Sequence, residues 1–262
     1  LEYLIAYLLL GAFAGTIAGL FGVGGGLIIV PMLATIYTQQ GIANDVIMHL
    51  AIGTSLATII PTSISSVLAH HRQGAVLWPV FVKLVPGILL GAFTGAYIAD
   101  QISSDALKMG VGIFAIVAAI KMILDFKPKP HRELPGKAGM TLAGIVIGAV
   151  SALIGIGGGT LTTPFLLWCN KSIRNAIATS AACGLPIAVA GAVGYISTGF
   201  DSAALPEWSS GYIYWPALIG VTLASVVFAP LGAKLTHKLP MKILKICFAL
   251  LLVVIGVHLL FL

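Results

Sequence analysis

A Gly-x-Gly-Gly-Gly run interrupts an apolar stretch twice in this chain, at Gly22–Gly26 and again at Gly155–Gly159, 133 residues later. The same spacing carries Gly11 and Gly15 to Gly144 and Gly148, and Pro31 to Pro164. Further on, Ala51-Ile52-Gly53-Thr54-Ser55 returns as Ala176-Ile177-Ala178-Thr179-Ser180, with Pro61 matched by Pro186 and Gly74 by Gly199. Trp78-Pro79 then returns as Trp215-Pro216, and Gly95-Ala96 as Gly232-Ala233. The markers keep their order, so the chain is a duplication. Glycine costs about 1 kcal/mol against alanine inside a helix. Each run is therefore expected to break the helix that contains it.

The solvent for such a unit follows from charge. Of 262 residues, 59% are hydrophobic and 8% charged, against about 25% charged in soluble domains. Several apolar stretches reach the ~20 residues that cross a hydrocarbon core. The first of them carries Glu2 rather than a basic leader and does not read as a signal peptide. The net charge of +6 does not point to nucleic acid, because the Lys and Arg residues stand at the ends of apolar segments. Cys169, Cys183 and Cys247 have no metal-ligand spacing, and no metal or other cofactor is expected.

The expected fold is an all-α integral membrane protein of two repeats, 1–126 and 138–262, joined by a polar, Pro-rich linker at 127–137. Apolar segments cover 3–38, 46–69, 76–99 and 105–125, then 138–169, 174–198, 211–236 and 240–262. Basic residues gather at His70–Arg72, in the linker, at Lys171 and Arg174, and at Lys234–Lys245. Acidic ones gather at Asp45, Asp100, Asp105, Asp201 and Glu207. If each glycine-broken segment enters and leaves by the same face, every basic cluster falls inside and every acidic cluster outside. Each half then has three spans plus one broken or re-entrant pair. The halves are inverted, and both termini lie outside.

Glycine breaks at membrane depth must be buried in protein or line a cavity. A helix starting after the break at Leu27 or Thr160 points unpaired amides and a partial positive charge at the glycines, which suits an anion. The expected binding set is Gly22, Gly24, Gly25, Gly26 and Leu27 with Gly155, Gly157, Gly158, Gly159 and Thr160. The hydroxyls of Thr54, Ser55, Thr179 and Ser180 join it. Pro61 and Pro186 are expected to kink their spans. His70, Arg72, Lys83 and Tyr195 are candidates for gating or for electrostatic guidance. His49 and His258 are placed at the membrane interface. No buried carboxylate offers itself to a coupling ion, and H+ and Na+ both stay open.

The paired Gly-x-Gly-Gly-Gly-x4-Pro motifs, with Gly53-Thr54-Ser55 and His70-x3-Gly74, resemble the TauE/SafE sulfite-exporter family over essentially the whole chain. The second copy departs from the first at Ala178 and Tyr195. The resemblance implies a secondary transporter of sulfite, sulfoacetate or related sulfur anions in a bacterial inner membrane; the lipid bilayer is an expected partner, and a homodimer stays open. An anion channel, a permease for another small anion and an intramembrane enzyme are the alternatives.

Overall fold

The computed structural model describes residues 2–21, 25–124, 133–236 and 241–261. It is all-α apart from one two-residue hairpin. The order is α1 (Glu2–Phe21), α2 (Gly26–Gln39), α3 (Asn44–Arg72), α4 (Trp78–Asp100), α5 (Ser104–Ile123), α6 (Lys137–Ile154), α7 (Gly159–Trp168), α8 (Ile173–Thr198), β1 (Ser209–Ser210), β2 (Ile213–Tyr214), α9 (Trp215–Thr236) and α10 (Met241–Phe261). Among the described residues, α3, α4, α5, α6 and α8 are long and apolar enough to cross a membrane. Apolar side chains such as Leu9, Val82, Ile113, Leu142 and Val254 stand exposed around the outside, as expected of a lipid-facing surface. The segment 211–236 is not helical from its start, because Ile213–Tyr214 pairs with Ser209–Ser210 before α9 begins.

Glycine sets the helix pairing. A Cβ on Gly11 would lie 2.4 Å from the Val221 carbonyl oxygen, and one on Gly15 2.6 Å from Ser225 Cα, so α1 lies directly on the α9 backbone. Gly87 and Gly91 meet Thr141 and Ile145 in the same way, while Gly144 and Gly148 meet Leu84 and Ile88, so α4 and α6 share a seam of small residues. Such close backbone approach is the usual basis of helix association in lipid. Each of these pairs joins one half of the chain to the other.

The contacts also fix direction. Along α1/α9 and α4/α6 the touching residue numbers rise together, so both pairs are parallel. Gly53 abuts Tyr195, Gly191 abuts Leu56, and Gly184 abuts Ser63, so the central pair α3/α8 is antiparallel. The pair α5/α10 is antiparallel too, with Gly112 against Leu260 and Gly256 against Ile116. On α4 and α8, Leu77 bonds Thr179 at one end and Ala96 meets Gly194 at the other, so these run the same way. Since α6 and α8 are both parallel to α4, α7 must return the chain to the end where α6 began. With 10 residues, α7 spans about 15 Å, half of a hydrocarbon core. The first half does the same with α1 and the 14-residue α2, where the Tyr3 hydroxyl donates to the Gln39 carbonyl at 3.1 Å.

The α4/α6 seam has a direct test. Gly91→Leu, whose Cβ would sit 2.1 Å from the Ile145 carbonyl oxygen, should cost about 1–3 kcal/mol by overpacking and lower the melting temperature in detergent. Gly110→Leu, which meets nothing within 4 Å on the exposed face of α5, should melt like the parent chain.

Candidate functional site

The two breaks touch. A Cβ on Gly26 would lie 2.4 Å from the Gly155 carbonyl oxygen and 2.9 Å from Ile156 Cα. Gly155 caps α6 at φ +75°, a left-handed conformation that favours glycine. It also packs under Val30 of α2 and Ile52 of α3. Gly157 lies against Ile59, and Gly158 presses on the α8 backbone at Ser180 and Gly184. The junction therefore draws on α2, α3, α6, α7 and α8. Gly22 and Gly24 lie outside the described residues.

Electrostatics at the junction are one-sided. The carbonyl end of α6 is largely satisfied. Tyr195 donates its hydroxyl to the Ala152 carbonyl at 3.1 Å, Ser55 donates to Gly155 at 2.9 Å, and the amides of Gly155 and Ile156 close on Ser151. The amide end of α7 has no such neutralising partner within its own helix, since its first regular bond runs from Thr162 N to the Gly158 carbonyl. Around that turn, Thr163 and Ser180 share a 2.7 Å hydrogen bond. The buried hydroxyls of Thr160, Thr162 and Ser151 have no hydrogen-bond partner among the described residues. Matched positions on α2 are Leu27, Ile28, Ile29 and Val30, so α2 brings no counterpart to the threonine hydroxyls of α7.

The paired threonines do a different job from the serines. Thr54 accepts the Tyr214 amide at 3.0 Å and Thr179 accepts the Leu77 amide at 2.9 Å. Each fully buried hydroxyl thus holds the residue just ahead of α9 or α4, a symmetry that the repeat had not revealed. Tyr37 adds a 3.4 Å contact to Thr54. Its ring stands edge-on to Tyr7 and Tyr214, at centroid distances of 6.5 and 5.8 Å. This aromatic cluster sits at the C-terminal end of α2; at its other end Gly26–Pro31 are all buried, whereas Gly159, Thr160, Leu161, Thr163, Pro164 and Phe165 of α7 are half-exposed.

The remaining candidates scatter. Pro61 and Pro186 sit half-buried inside unbroken helices. Tyr195 is fully buried, while its repeat partner His70 is half-buried near the far end of α3. Arg72 and Lys83 are exposed and away from the junction. His258 is exposed, within 3.4 Å of Thr35. His49 lies near the start of α3, but its side chain is packed in protein rather than exposed. It is 4% exposed and buried between α3, α4 and the hairpin. The signal in the sequence was its position one helical turn before Gly53, which puts it on the same packed face.

The sequence profile described as "Sulfite exporter TauE/SafE" matches residues 7–259. The chain belongs to the TauE/SafE sulfite-exporter family. It is 36% identical to a probable membrane transporter protein of Haemophilus influenzae, over 98% of this chain and 97% of that one. The probable membrane transporter protein YunE of Bacillus subtilis is 27% identical over 98% of this chain and 97% of its own. A probable membrane transporter protein of Methanocaldococcus jannaschii is 27% identical over 97% and 94%. This chain is a multi-pass membrane transporter of that family.

The two threonine ties make a paired prediction. Thr54→Val and Thr179→Val each strand a backbone amide and should cost about 1–3 kcal/mol, read as a lower melting temperature. Thr→Ser at either position should restore most of it.

Proposed function

We propose that the touching glycine breaks form one anion site near the middle of the membrane, and that the chain is a secondary transporter of sulfur-containing anions such as sulfite and sulfoacetate. The observation that carries this reading is the approach of Gly26 to Gly155 and Ile156. It sets the start of α2 against the glycine break that leads into α7, next to the central helices α3 and α8. At that point the free amides of α7 and the unpartnered hydroxyl of Thr160 supply neutral donors, beside the Thr163–Ser180 pair, whose hydrogens are used within the protein. Donors of this kind hold a sulfonate or sulfite oxygen without a buried cation, so release stays fast. The sulfur chemistry comes from the family.

Alternating access follows from the same architecture. The antiparallel α3/α8 and α5/α10 pairs support two inverted repeats, the arrangement in which cargo sits at the repeat interface. Sealed α2 and half-exposed α7 then correspond to a site closed towards one face and opening towards the other. The basic ends of α3, α6 and α8 face the cytoplasm by the positive-inside tendency, which puts both termini outside the inner membrane. A reporter fused to the C-terminus should be active only on the outer side.

Binding is read by thermal shift of the purified protein with sulfite, sulfoacetate and taurine, against acetate as control. A ligand at a hundred times its Kd stabilises by about 2.7 kcal/mol. Gly158→Val, whose Cβ would lie 2.7 Å from the Ser180 carbonyl oxygen, should insert normally yet lose flux of the anion that binds. Undiminished flux in that variant would rule out the glycine junction as the site.

A further inference from the structure

We propose that His49 is the proton-binding residue of a proton-coupled transport cycle. This rests on the chain being a transporter, not on which anion it carries.

Among the described residues, His49 is the one buried side chain of the histidine, lysine, arginine or carboxylate kind. Its Nε2 lies 3.0 Å from the Ala99 carbonyl oxygen. A carbonyl can only accept, so Nε2 carries the hydrogen. In the neutral ring Nδ1 then holds a lone pair, and this buried atom has no partner among the described residues. Buried polar atoms are normally satisfied; an unsatisfied basic nitrogen is a place for one proton.

The surroundings suit a cation that comes and goes. Ala99 and Asp100 form the carbonyl end of α4, where a positive imidazolium is favoured. Asp100 is half-buried and accepts a 3.2 Å hydrogen bond from the Tyr212 hydroxyl. The Tyr212 ring stacks on His49, 5.0 Å between centroids. Burial, and then the Asp100 carboxylate, raise Tyr212 above the usual phenol range, so it stays a donor throughout. The other groups facing this corner are Tyr195 of α8, edge-on to Tyr212 at 6.3 Å, and Ser104 of α5, which accepts the Met48 amide. Asp45 lies one turn earlier on α3 itself, and Asp105 of α5 is exposed and paired with Lys108 at 3.8 Å. Among the described residues, Lys108 is the one cation named near this corner, and its charge is paired with Asp105.

The site is wired to the glycine junction through short steps. His49 stacks on Tyr212, Tyr212 packs on Tyr195, and Tyr195 donates to Ala152, three residues before the Gly155 break. The Tyr212 carbonyl also presses on Gly53 of α3, one turn beyond His49. A charge arriving on His49 therefore changes the seating of the hairpin and of the last turn of α6 together.

Two measurements test this. In protein labelled with 15N-histidine, one ring signal absent from His49→Gln should shift as pH is varied on either side of neutral. Its midpoint should fall in Asp100→Asn, which removes the nearby negative charge. In proteoliposomes with the membrane potential clamped, a one-unit pH gradient drives about tenfold sulfoacetate accumulation per coupled proton. His49→Gln, whose amide still reaches Ala99 but takes up no proton, should lose that accumulation. Tyr212→Phe is a second variant should the first fold poorly; it should shift the His49 midpoint. A His49 signal that stays flat as pH is varied, or gradient-driven accumulation that survives His49→Gln, overturns the proposal. A titrating His49 in a protein that moves no sulfoacetate supports the proton site and sinks only the choice of anion.

Discussion

A chain that reverses inside a membrane leaves amides and carbonyls with no water to turn to, and that constraint organises this protein. Each unpaired group must find protein, and helices must stand close enough to supply it. At the second break the supply is visible. Ser55 from α3 and Tyr195 from α8 donate to α6 carbonyls, and Ser151 gathers two amides of its own turn. These two central helices are the most buried of the spans, because they have to surround the reversals. The amide end of α7 is the part of this account left open.

The seams around that centre use a different principle. Between α1 and α9, and between α4 and α6, backbone meets backbone through glycine, and on the α1/α9 seam the Ser225 hydroxyl also donates to the Gly11 carbonyl at 3.0 Å. The parallel pairs hold the two halves to each other while the antiparallel central pair holds the breaks. Thr54 and Thr179 connect the two systems, since each sits on a central helix and grips the start of a seam helix.

Much of this was legible in the sequence. The helix breaks at the glycine runs and the packing glycines Gly11, Gly15, Gly144 and Gly148 followed from spacing. What spacing conceals is partnership across the repeat. Thr54 and Thr179 looked like cavity hydroxyls, but their acceptor role depends on Tyr214 and Leu77, 160 and 102 residues away. The site's polarity was also less even than the duplication implied, since Thr160 and Thr163 face aliphatic counterparts in the first copy. The packing of His49 was hidden because a position near a segment end does not show what covers the side chain. Only the hairpin folding back over it makes it internal, and that hairpin falls within a stretch whose apolar content reads as the start of a span.

The crossed seams bear on how the molecule is made. Gly11 touches Val221, 210 residues further on, and a ribosome adding 5–20 residues each second takes roughly 10–40 s to cover that distance. Throughout that interval the glycine face of α1 has lipid or an insertion factor for company, and the first reversal lacks the second break against which it rests. The α1–α2 pair is thus made well before α9 and is among the last of these elements to reach its final place.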